Sequence, residues 1–184
     1  MRIFFQEIAD LYQEKGDLQY HGENVTQLVH AWQCGQLAKQ QEASPELQMA
    51  AWLHDIGHLL TGQTGTPTVV GIDDQHQVLG SHYLAQNLPP AVVQPVALHV
   101  LAKRYLVSTN RDYQAQLSED SIRSLALQGG SMTEVECQAF IKMPFSQDAI
   151  SLRQWDDAGK ATRHPMPTQA KMLADFKQLA ESLM

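Results

Sequence analysis

Apolar residues recur at helical spacing along most of the chain. The first run, from Phe4 to Tyr12, places its large side chains on one helix face, and Gly16 can end that helix. The same periodicity predicts further helices over 23–42, 44–60, 74–87, from 90, over 118–128, from 131, over 146–159 and over 168–183. Helices with one apolar stripe must pack against each other, so the pattern predicts a helical bundle.

Capping residues locate several of these helix starts. Ser44-Pro45-Glu46 supplies a capping serine, a proline at the first helical position and an acid in the first turn. Asp74 can cap the helix that follows it, and Ser131-Met132-Thr133-Glu134 matches a capping box. Within the Gly- and Thr-rich loop 61–73, Val69-Val70 could pair only briefly as a strand. The predicted fold class is therefore all-α.

Length and composition favour a single globular domain. The chain has 184 residues, of which 43% are hydrophobic and 18% charged, as in ordinary globular proteins. One core can bury most of the apolar surface of a chain of this size. We expect one domain over 1–184, with its motifs between 20 and 160 and a C-terminal helix over 168–183.

Charge and cysteine content exclude several classes of protein. A net charge of −7 without clustered Lys and Arg argues against a nucleic-acid partner. Cys34 and Cys137 give neither a disulfide framework nor a CxxC metal pair. The first residues do not resemble a signal peptide, and no uninterrupted apolar window is long enough for a membrane span. We therefore expect a cytoplasmic protein that has no membrane partner.

Several histidines and aspartates lie in apolar surroundings. His54-Asp55 interrupts an apolar stretch, and a buried carboxylate is costly unless it is paired or bound to a metal. His30 and His99 lie between apolar neighbours on their helices, and His76 opens a helix of its own. Any one of these histidines alone would more often be an ordinary core or surface residue. Together with the late Trp155-Asp156-Asp157, they favour a metal site.

The types of donor narrow the choice of metal. Imidazole suits iron, zinc, copper or nickel, while carboxylates neutralise charge and can bridge two ions. A set of four histidines and two aspartates without cysteine favours iron or manganese over structural zinc.

The order and spacing of these residues resemble the HD superfamily of metal-dependent enzymes. His30, His54-Asp55 and Asp156 carry the core resemblance, and the additional His76 and His99 resemble its six-ligand, two-metal subset. The sharper motifs are Tyr20-His21-Gly22-Glu23, His54-Asp55-Ile56-Gly57-His58, His76-Gln77-Val78-Leu79-Gly80, Lys103-Arg104-Tyr105-Leu106, Leu127-Gln128-Gly129-Gly130 and Leu152-Arg153-Gln154-Trp155-Asp156-Asp157 with Lys160. They are similar to the mixed-valent diiron oxygenases related to myo-inositol oxygenase, and most of all to members that cleave small phosphonates.

The resemblance implies an HD-domain bundle with two iron ions in its core, as an Fe(II)/Fe(III) pair. The implied ligands of one iron are His30, His54, Asp55 and Asp156, and those of the other are Asp55, His76 and His99. Asp55 would bridge the two ions. Asp157 is the alternative to Asp156 and would otherwise be a solvated helix charge.

The same resemblance implies O2 and a small zwitterionic phosphonate as partners. The reaction would cleave the C–P bond of a 1-hydroxy-2-aminoalkylphosphonate and release glycine and phosphate. The implied substrate-binding residues are Tyr20, Glu23, His58, Lys103, Ser121 and Arg153. Lys103 shares a helix face with His99, and Arg153 shares one with Asp156, so each would place a cation beside a metal ligand.

A lid and two catalytic residues are also implied by the resemblance. Tyr20 would occupy the open iron position until substrate arrives, and Glu23 would engage the substrate amine. Tyr20 and the bridging Asp55 would be the catalytic residues.

The sequence is also compatible with two functions other than an oxygenase. Many HD proteins are metal-dependent phosphohydrolases that act on nucleotides or other phosphate esters, where the metals activate water. A non-catalytic, metal-stabilised binding domain is the second alternative. Tyr20, Glu23 and Trp155-Asp156-Asp157 favour the oxygenase, because a plain hydrolase does not need them.

Overall fold

The described part of the chain is built from helices. A computed structural model describes residues 1–20, 23–61, 65–160 and 165–184. Within these ranges there are ten α-helices and no strand beyond one isolated bridge between Gln19 and Thr26, which confirms the all-α class. No helix in these ranges combines the length and the apolar character that crossing a membrane requires.

The helices are numbered in chain order. They are α1 (Arg2–Lys15), α2 (Gln27–Gln40), α3 (Pro45–Leu53), α4 (Ile56–Leu60), α5 (His76–Leu84), α6 (Pro90–Thr109), α7 (Glu119–Leu127), α8 (Glu134–Phe140), α9 (Ser146–Ala158) and α10 (Gln169–Ser182). Two 3₁₀ turns, Pro67–Val70 and Gln114–Gln116, lie before α5 and α7 respectively.

The main core lies where α1, α3 and α10 meet. Trp52 lies 5.5 Å from Phe176 and 6.5 Å from Tyr12, measured between ring centroids. The Tyr12 hydroxyl donates a 2.7 Å hydrogen bond to the carbonyl oxygen of Trp52, which satisfies a polar group that is buried with the rings. This aromatic packing fixes α3, whose C-terminal end leads into His54 and Asp55.

The long helix α6 packs against several other helices. Its 20 residues span about 30 Å, and it packs against α3, α5 and α9. On one side Ala102 belongs to a second buried cluster with Met132, Phe140 and Ala149. His99 lies near the middle of α6, where its ring meets those of His76 on α5 and of His54 at the end of α3.

The helix predicted over 44–60 is divided in two. α3 ends at Leu53 and α4 begins at Ile56, so the prediction of one continuous helix is wrong. Asp55 has φ −104° and ψ 11°, and its carbonyl oxygen accepts from His58 N at 3.0 Å. This tighter, three-residue turn redirects the chain at the His54-Asp55 pair.

Three other local predictions also need correction. The second helix begins at Gln27 rather than at 23, because the Thr26 side chain caps it by accepting from Val29 N. The capping box of α8 is formed by Thr133 and Glu136, not by Ser131 and Glu134. Val69 and Val70 lie in a 3₁₀ turn instead of a strand.

Parts of two predictions fall outside the described residues. These are 62–64 of the predicted loop 61–73, and His21 and Gly22 of the motif that begins at Tyr20.

Candidate metal centre

Five segments bring the six predicted metal ligands to one place. The residues are His30 on α2, His54 and Asp55 at the junction of α3 and α4, His76 at the start of α5, His99 on α6 and Asp156 on α9. All six are buried. The structure therefore gathers side chains that are up to 126 residues apart in the chain into one polar cluster inside an apolar core.

Asp55 stands between two pairs of histidines. Its Oδ2 lies 3.1 Å from His54 Nε2 and 3.5 Å from His30 Nε2. Its Oδ1 lies 3.4 Å from His76 Nε2 and 3.8 Å from His99 Nε2. Each carboxylate oxygen thus faces a different pair, which is the arrangement of a carboxylate that bridges two cations.

Asp156 completes the first of these groups. Its Oδ1 lies 3.4 Å from His30 Nε2 and 3.8 Å from His54 Nε2. The donor atoms within each group lie within 4.8 Å of one another. Ligand atoms about 2.0–2.2 Å from an ion lie about 3–4.4 Å apart, so each group has a suitable size for one ion. Asp157 points elsewhere, toward Arg153.

All four histidines present the same ring nitrogen to the cluster. The acceptors behind their Nδ1 atoms are Gly159 O for His30 (3.1 Å), Ala51 O for His54 (3.0 Å), Asp74 Oδ1 for His76 (2.9 Å) and Val96 O for His99 (2.7 Å). A carbonyl or carboxylate oxygen only accepts, so the hydrogen of each neutral ring belongs on Nδ1. The Nε2 lone pairs are left facing inward, as metal ligation requires.

These donors fit a pair of cations. His76 Nε2 and His99 Nε2 lie 3.0 Å apart, and Asp156 Oδ1 is buried without a well-aligned hydrogen bond from the described residues. Burial would lower the pKa of His54, but the Asp55 and Asp156 carboxylates outweigh burial and raise that pKa to about 10. Converging lone pairs and carboxylates repel one another unless positive charge lies between them. The cluster therefore attracts positive charge, and two metal ions would supply it.

A polar pocket opens beside the cluster, and one wall of it is cationic. Ser121 Oγ receives hydrogen bonds from Lys160 Nζ at 3.0 Å and from Arg153 Nη2 at 3.4 Å. Lys103 Nζ donates to Ser124 Oγ at 2.7 Å. Burial, with the charge of Arg153 nearby, lowers the pKa of Lys103 to about 7. Three cations and two hydroxyls around one space suit a small anion.

Arg153 contacts a predicted metal ligand directly. Its Nη1 donates to Asp156 Oδ2 at 2.5 Å, its Nε donates to Tyr113 Oη at 3.1 Å, and its Nη2 pairs with Asp157. Asp156 therefore uses Oδ2 for the guanidinium and turns Oδ1 toward the histidines. Arg153 also lines the pocket, and its bond to Asp156 orients a predicted metal ligand as well.

Tyr20 lines the same pocket, and Glu23 lies next to Lys160. Tyr20 Oη donates to Asp55 Oδ2 at 2.7 Å, and its ring stacks on His30 at 4.0 Å between centroids. Burial raises the pKa of Tyr20 well above its ordinary value, so its hydroxyl keeps its proton. Glu23 Oε1 lies 3.9 Å from Lys160 Nζ and accepts no hydrogen bond from the described residues.

Two residues that line the pocket were not predicted to have a role in metal or substrate binding. Asp74 was interpreted as a helix cap, but its carboxylate contacts the rings of His58 and His76. Lys160 stood only within a longer motif, although its position four residues after Asp156 could have placed it on the same helix face. His58 lines the pocket, and its role in binding a substrate stays a prediction.

The fold and this cluster define a class of protein. An all-helical bundle in which a buried His-Asp pair joins further histidines and a late aspartate is an HD-domain metalloprotein. The HD domain family matches residues 28–126, more than half of the chain.

The relatives identify the family within that class. The chain is 43% identical over 161 residues to hydroxymethylphosphonate dioxygenase of Gimesia maris, covering 87% of this chain and 80% of the relative. It is 39% identical over 154 residues to the glycine-betaine-forming [1-hydroxy-2-(trimethylamino)ethyl]phosphonate dioxygenase of Leisingera caerulea, covering 83% and 78%. An uncharacterized protein of Acanthamoeba polyphaga mimivirus is 32% identical over 155 residues, covering 83% and 71%. The chain belongs to the HD-domain phosphonate dioxygenase family.

Membership in this family decides between the competing functions. The protein is an oxygenase, and the alternatives of a phosphohydrolase or a non-catalytic domain find no support among these relatives.

Proposed function

We propose that the protein is a diiron oxygenase that cleaves the C–P bond of a 1-hydroxy-2-aminoalkylphosphonate. The simplest such substrate, 2-amino-1-hydroxyethylphosphonate, and O2 would give glycine and phosphate. The observation that carries the proposal is the pair of donor groups that share Asp55 and border a cationic pocket.

The donor set supports iron in both groups. The ligands would be His30, His54, Asp55 and Asp156 in one group and Asp55, His76 and His99 in the other. Nitrogen and oxygen donors without thiolate suit iron. When bound, a pair of iron ions would supply redox chemistry with O2 and a Lewis-acid anchor for substrate oxygens.

The cationic wall supports an anionic headgroup. Lys103, Lys160 and Arg153 with Ser121 would hold the phosphonate through charge-assisted hydrogen bonds. The relatives are named for phosphonates that share a hydroxyl group on the carbon next to phosphorus. The phosphonate of that shared unit would bind the cations of the pocket. Its hydroxyl oxygen would then lie next to the metal ions that the neighbouring donor groups would hold.

Glu23 supports a primary amine as the other end of the substrate. Its Oε1 is buried and accepts no hydrogen bond from the described residues. A substrate ammonium group would satisfy this oxygen, whereas a trimethylammonium group has no N–H to donate and hydroxymethylphosphonate has no amine. We therefore infer a preference for the primary amine.

The proposed reaction needs no separate reductant. The C–P bond and the C–H bond on the hydroxyl-bearing carbon break, while one new C–O bond and one new P–O bond form. That carbon becomes the carboxylate of glycine, phosphorus leaves as phosphate, a proton is released, and O2 takes up the four electrons. The chain's part is to bind and orient the substrate and to keep water out. Tyr20, which donates to Asp55, covers the cluster and would move aside as the substrate enters.

The first experiment tests for the oxygenase reaction itself. Iron-loaded protein is incubated with 2-amino-1-hydroxyethylphosphonate while O2 consumption, phosphate and glycine are measured. We expect one O2 consumed for each phosphate and glycine released. Phosphate release that continues at full rate without O2 would overturn the proposal in favour of a hydrolase.

The second experiment tests the choice of substrate. kcat/KM is compared for the aminoethyl, trimethylaminoethyl and hydroxymethyl phosphonates, in the wild type, in Glu23→Gln and in Glu7→Gln as a control on the exposed face of α1. Losing a charge-assisted hydrogen bond should reduce the preference for the primary amine about 10–100-fold. An unchanged preference in Glu23→Gln would show that another group selects the amine.

A further inference from the structure

One carboxylate contacts two histidines that belong to different parts of the candidate site. Asp74 Oδ2 accepts from His58 Nδ1 at 2.6 Å, and its Oδ1 accepts from His76 Nδ1 at 2.9 Å. The two rings are stacked, with centroids 4.1 Å apart and an interplanar angle of 29°. His76 belongs to the second donor group, whereas His58 lines the pocket.

A helix cap does not explain this arrangement. Asp74 Oδ1 also accepts from His76 N, but at 3.3 Å this is the longest of its three contacts with the histidines. The residue at the N-cap position of α5 is Gln75, which has φ 50° and ψ 35°, a conformation that costs a side-chain-bearing residue energy. Gln75 holds this conformation directly before His76, the residue whose ring and backbone N–H both donate to Asp74.

The two hydrogen bonds place a proton on Nδ1 of each ring and turn its Nε2 toward the site. Because the carboxylate accepts at Nδ1 of both rings, Nε2 of His76 faces His99 Nε2 at 3.0 Å, and Nε2 of His58 faces Asp55 Oδ1 at 3.8 Å. A carboxylate behind a ligating histidine orients the ring and makes it a better ligand. Here the same carboxylate orients a second ring that faces the pocket.

We propose that Asp74 is a positioning residue whose single carboxylate orients His76 toward the second metal and His58 toward the substrate anion. Metal affinity and anion affinity then depend on one side chain. The anion half of this inference rests on the proposed function, whereas the metal half rests on the donor geometry alone.

Metal binding without substrate tests the first half. Metal-free wild type, Asp74→Asn and the neighbouring Asp73→Asn are titrated with Zn(II) against a chelator. We expect two ions per wild-type chain, one of them bound about 10–100-fold more weakly in Asp74→Asn, and no change in Asp73→Asn. Two ions bound to Asp74→Asn with wild-type affinity would overturn the proposal. So would a third ion in the wild type that is lost in Asp74→Asn, since Asp74 would then be a ligand.

Anion binding in a double-mutant cycle tests the second half. Binding of methylphosphonate is measured in wild type, Asp74→Asn, His58→Ala and the double variant, at Zn(II) concentrations that saturate both ions in each. If Asp74 acts through His58, Asp74→Asn weakens binding in the wild type but adds little in His58→Ala. An equal loss in both backgrounds would overturn the coupling.

A spectroscopic measurement on the unaltered chain keeps the proposal testable if Asp74→Asn does not fold. Long-range ¹H–¹⁵N correlation spectra of the Zn(II)-loaded wild type should show a proton on Nδ1 of both His58 and His76. An unprotonated Nδ1 on either ring would overturn the proposal. If the zinc and NMR results hold but the wild type turns over no phosphonate, the proposed function fails while the metal role of Asp74 stands.

Discussion

Hydrogen bonds on the far side of individual side chains determine which of their atoms face the cluster. His99 is an example, because the carbonyl oxygen of Val96 accepts from Nδ1 at 2.7 Å and leaves Nε2 to face the other donors. Arg153 does the same for a carboxylate by occupying Oδ2 of Asp156. The direction of each ligand is therefore set by a hydrogen bond on its far side, so a change there should alter metal binding without removing a ligand.

Arg153→Met should weaken metal binding as well as anion binding. The guanidinium is buried and bonds to Asp156, so its loss leaves the buried Oδ2 of Asp156 without its partner and should cost up to about 3–5 kcal/mol of unfolding free energy. Metal stoichiometry and chemical denaturation measure the two effects. The control is Arg123→Met, whose half-exposed guanidinium pairs at 3.3 Å with Asp120 and should contribute less than about 1 kcal/mol. If full metal binding persists in Arg153→Met, Arg153 serves only the anion.

Lys103 should titrate within the physiological range. Burial, followed by the charge of Arg153, lowers its pKa to about 7, so it is charged below that pH and neutral above it. A ¹³Cε NMR titration of the metal-free chain should show one lysine with a midpoint near 7. Binding of methanesulfonate, whose own charge is constant in this range, favours the charged lysine and should raise that midpoint.

Two variants assign this signal. The titration near pH 7 should be absent from Lys103→Met and present in Lys171→Met, which alters an exposed lysine on α10. A Lys103 midpoint above 9 would contradict the lowered pKa.

At the scale of helices, the junction of α3 and α4 determines the geometry of the cluster. The chain turns at His54 and Asp55, and α4 then crosses α5 closely enough that Gly57 contacts the backbone of His76. A Cβ atom at position 57 would lie 2.1 Å from the carbonyl oxygen of His76. The absence of a side chain there lets His76 reach Asp55.

Gly57→Ala should separate α4 from α5 and remove one metal ion. The added methyl group meets rigid backbone, so we expect about 1–3 kcal/mol of destabilisation and a chain that retains the ion held by His30 and Asp156. Thermal unfolding and metal analysis measure this. In the matched variant Gly80→Ala the new methyl would meet Ile56 Cγ2 at 3.2 Å and the backbone nitrogen of Gly57 at 3.3 Å, a much smaller overlap than at position 57, so the loss should be smaller. Two tightly bound ions in Gly57→Ala would contradict the role of this crossing.

The sequence predicted the existence of helices better than their ends. Most helices bury an apolar stripe, and that periodicity is visible in the chain. The break at His54-Asp55 was missed because apolar residues flank the pair on both sides and no proline separates α3 from α4. Asp55, the N-cap residue of α4, was interpreted as a metal ligand and not as a cap. Metal ligands could be singled out as polar residues within apolar helices. The spacing already placed Arg153 beside Asp156, but the bond of Arg153 to Tyr113 and the contacts of Asp74 with two histidine rings could not be predicted, because they depend on which side chains face one another after packing.

At the scale of the whole molecule, the candidate ligands join α2, the α3–α4 junction, α5, α6 and α9. In the metal-free fold these elements enclose two carboxylates whose charge is balanced by protons on the histidine rings, as the raised pKa of His54 indicates. Metal ions would replace those protons and add ligand bonds, so the native state gains stability when they bind. The core around Trp52 and Phe176 does not depend on the ions. We therefore expect the metal-free chain to remain folded but to be less stable than the loaded one.

Removal of metal should lower the melting temperature by an amount that depends on free metal concentration. When the free metal concentration is 100 times the dissociation constant of one site, binding at that site stabilises the native state by about 2.7 kcal/mol. For a chain of this size, that corresponds to a rise in melting temperature of roughly 5–11 °C. Calorimetry with and without chelator measures the shift. His99→Ala should lose much of it, whereas His82→Ala, an exposed histidine on α5, should keep all of it.

Hydrogen exchange can show where that stabilisation acts. Amides in α6 and α9, which carry His99 and Asp156, should gain the most protection on metal binding, because the ions tie these helices to the others. Helices α1 and α10, which pack together away from the ligands, should gain less. Equal gains everywhere would mean that the metals stabilise only the global fold, and no change on loading would mean that the six residues do not bind metal together.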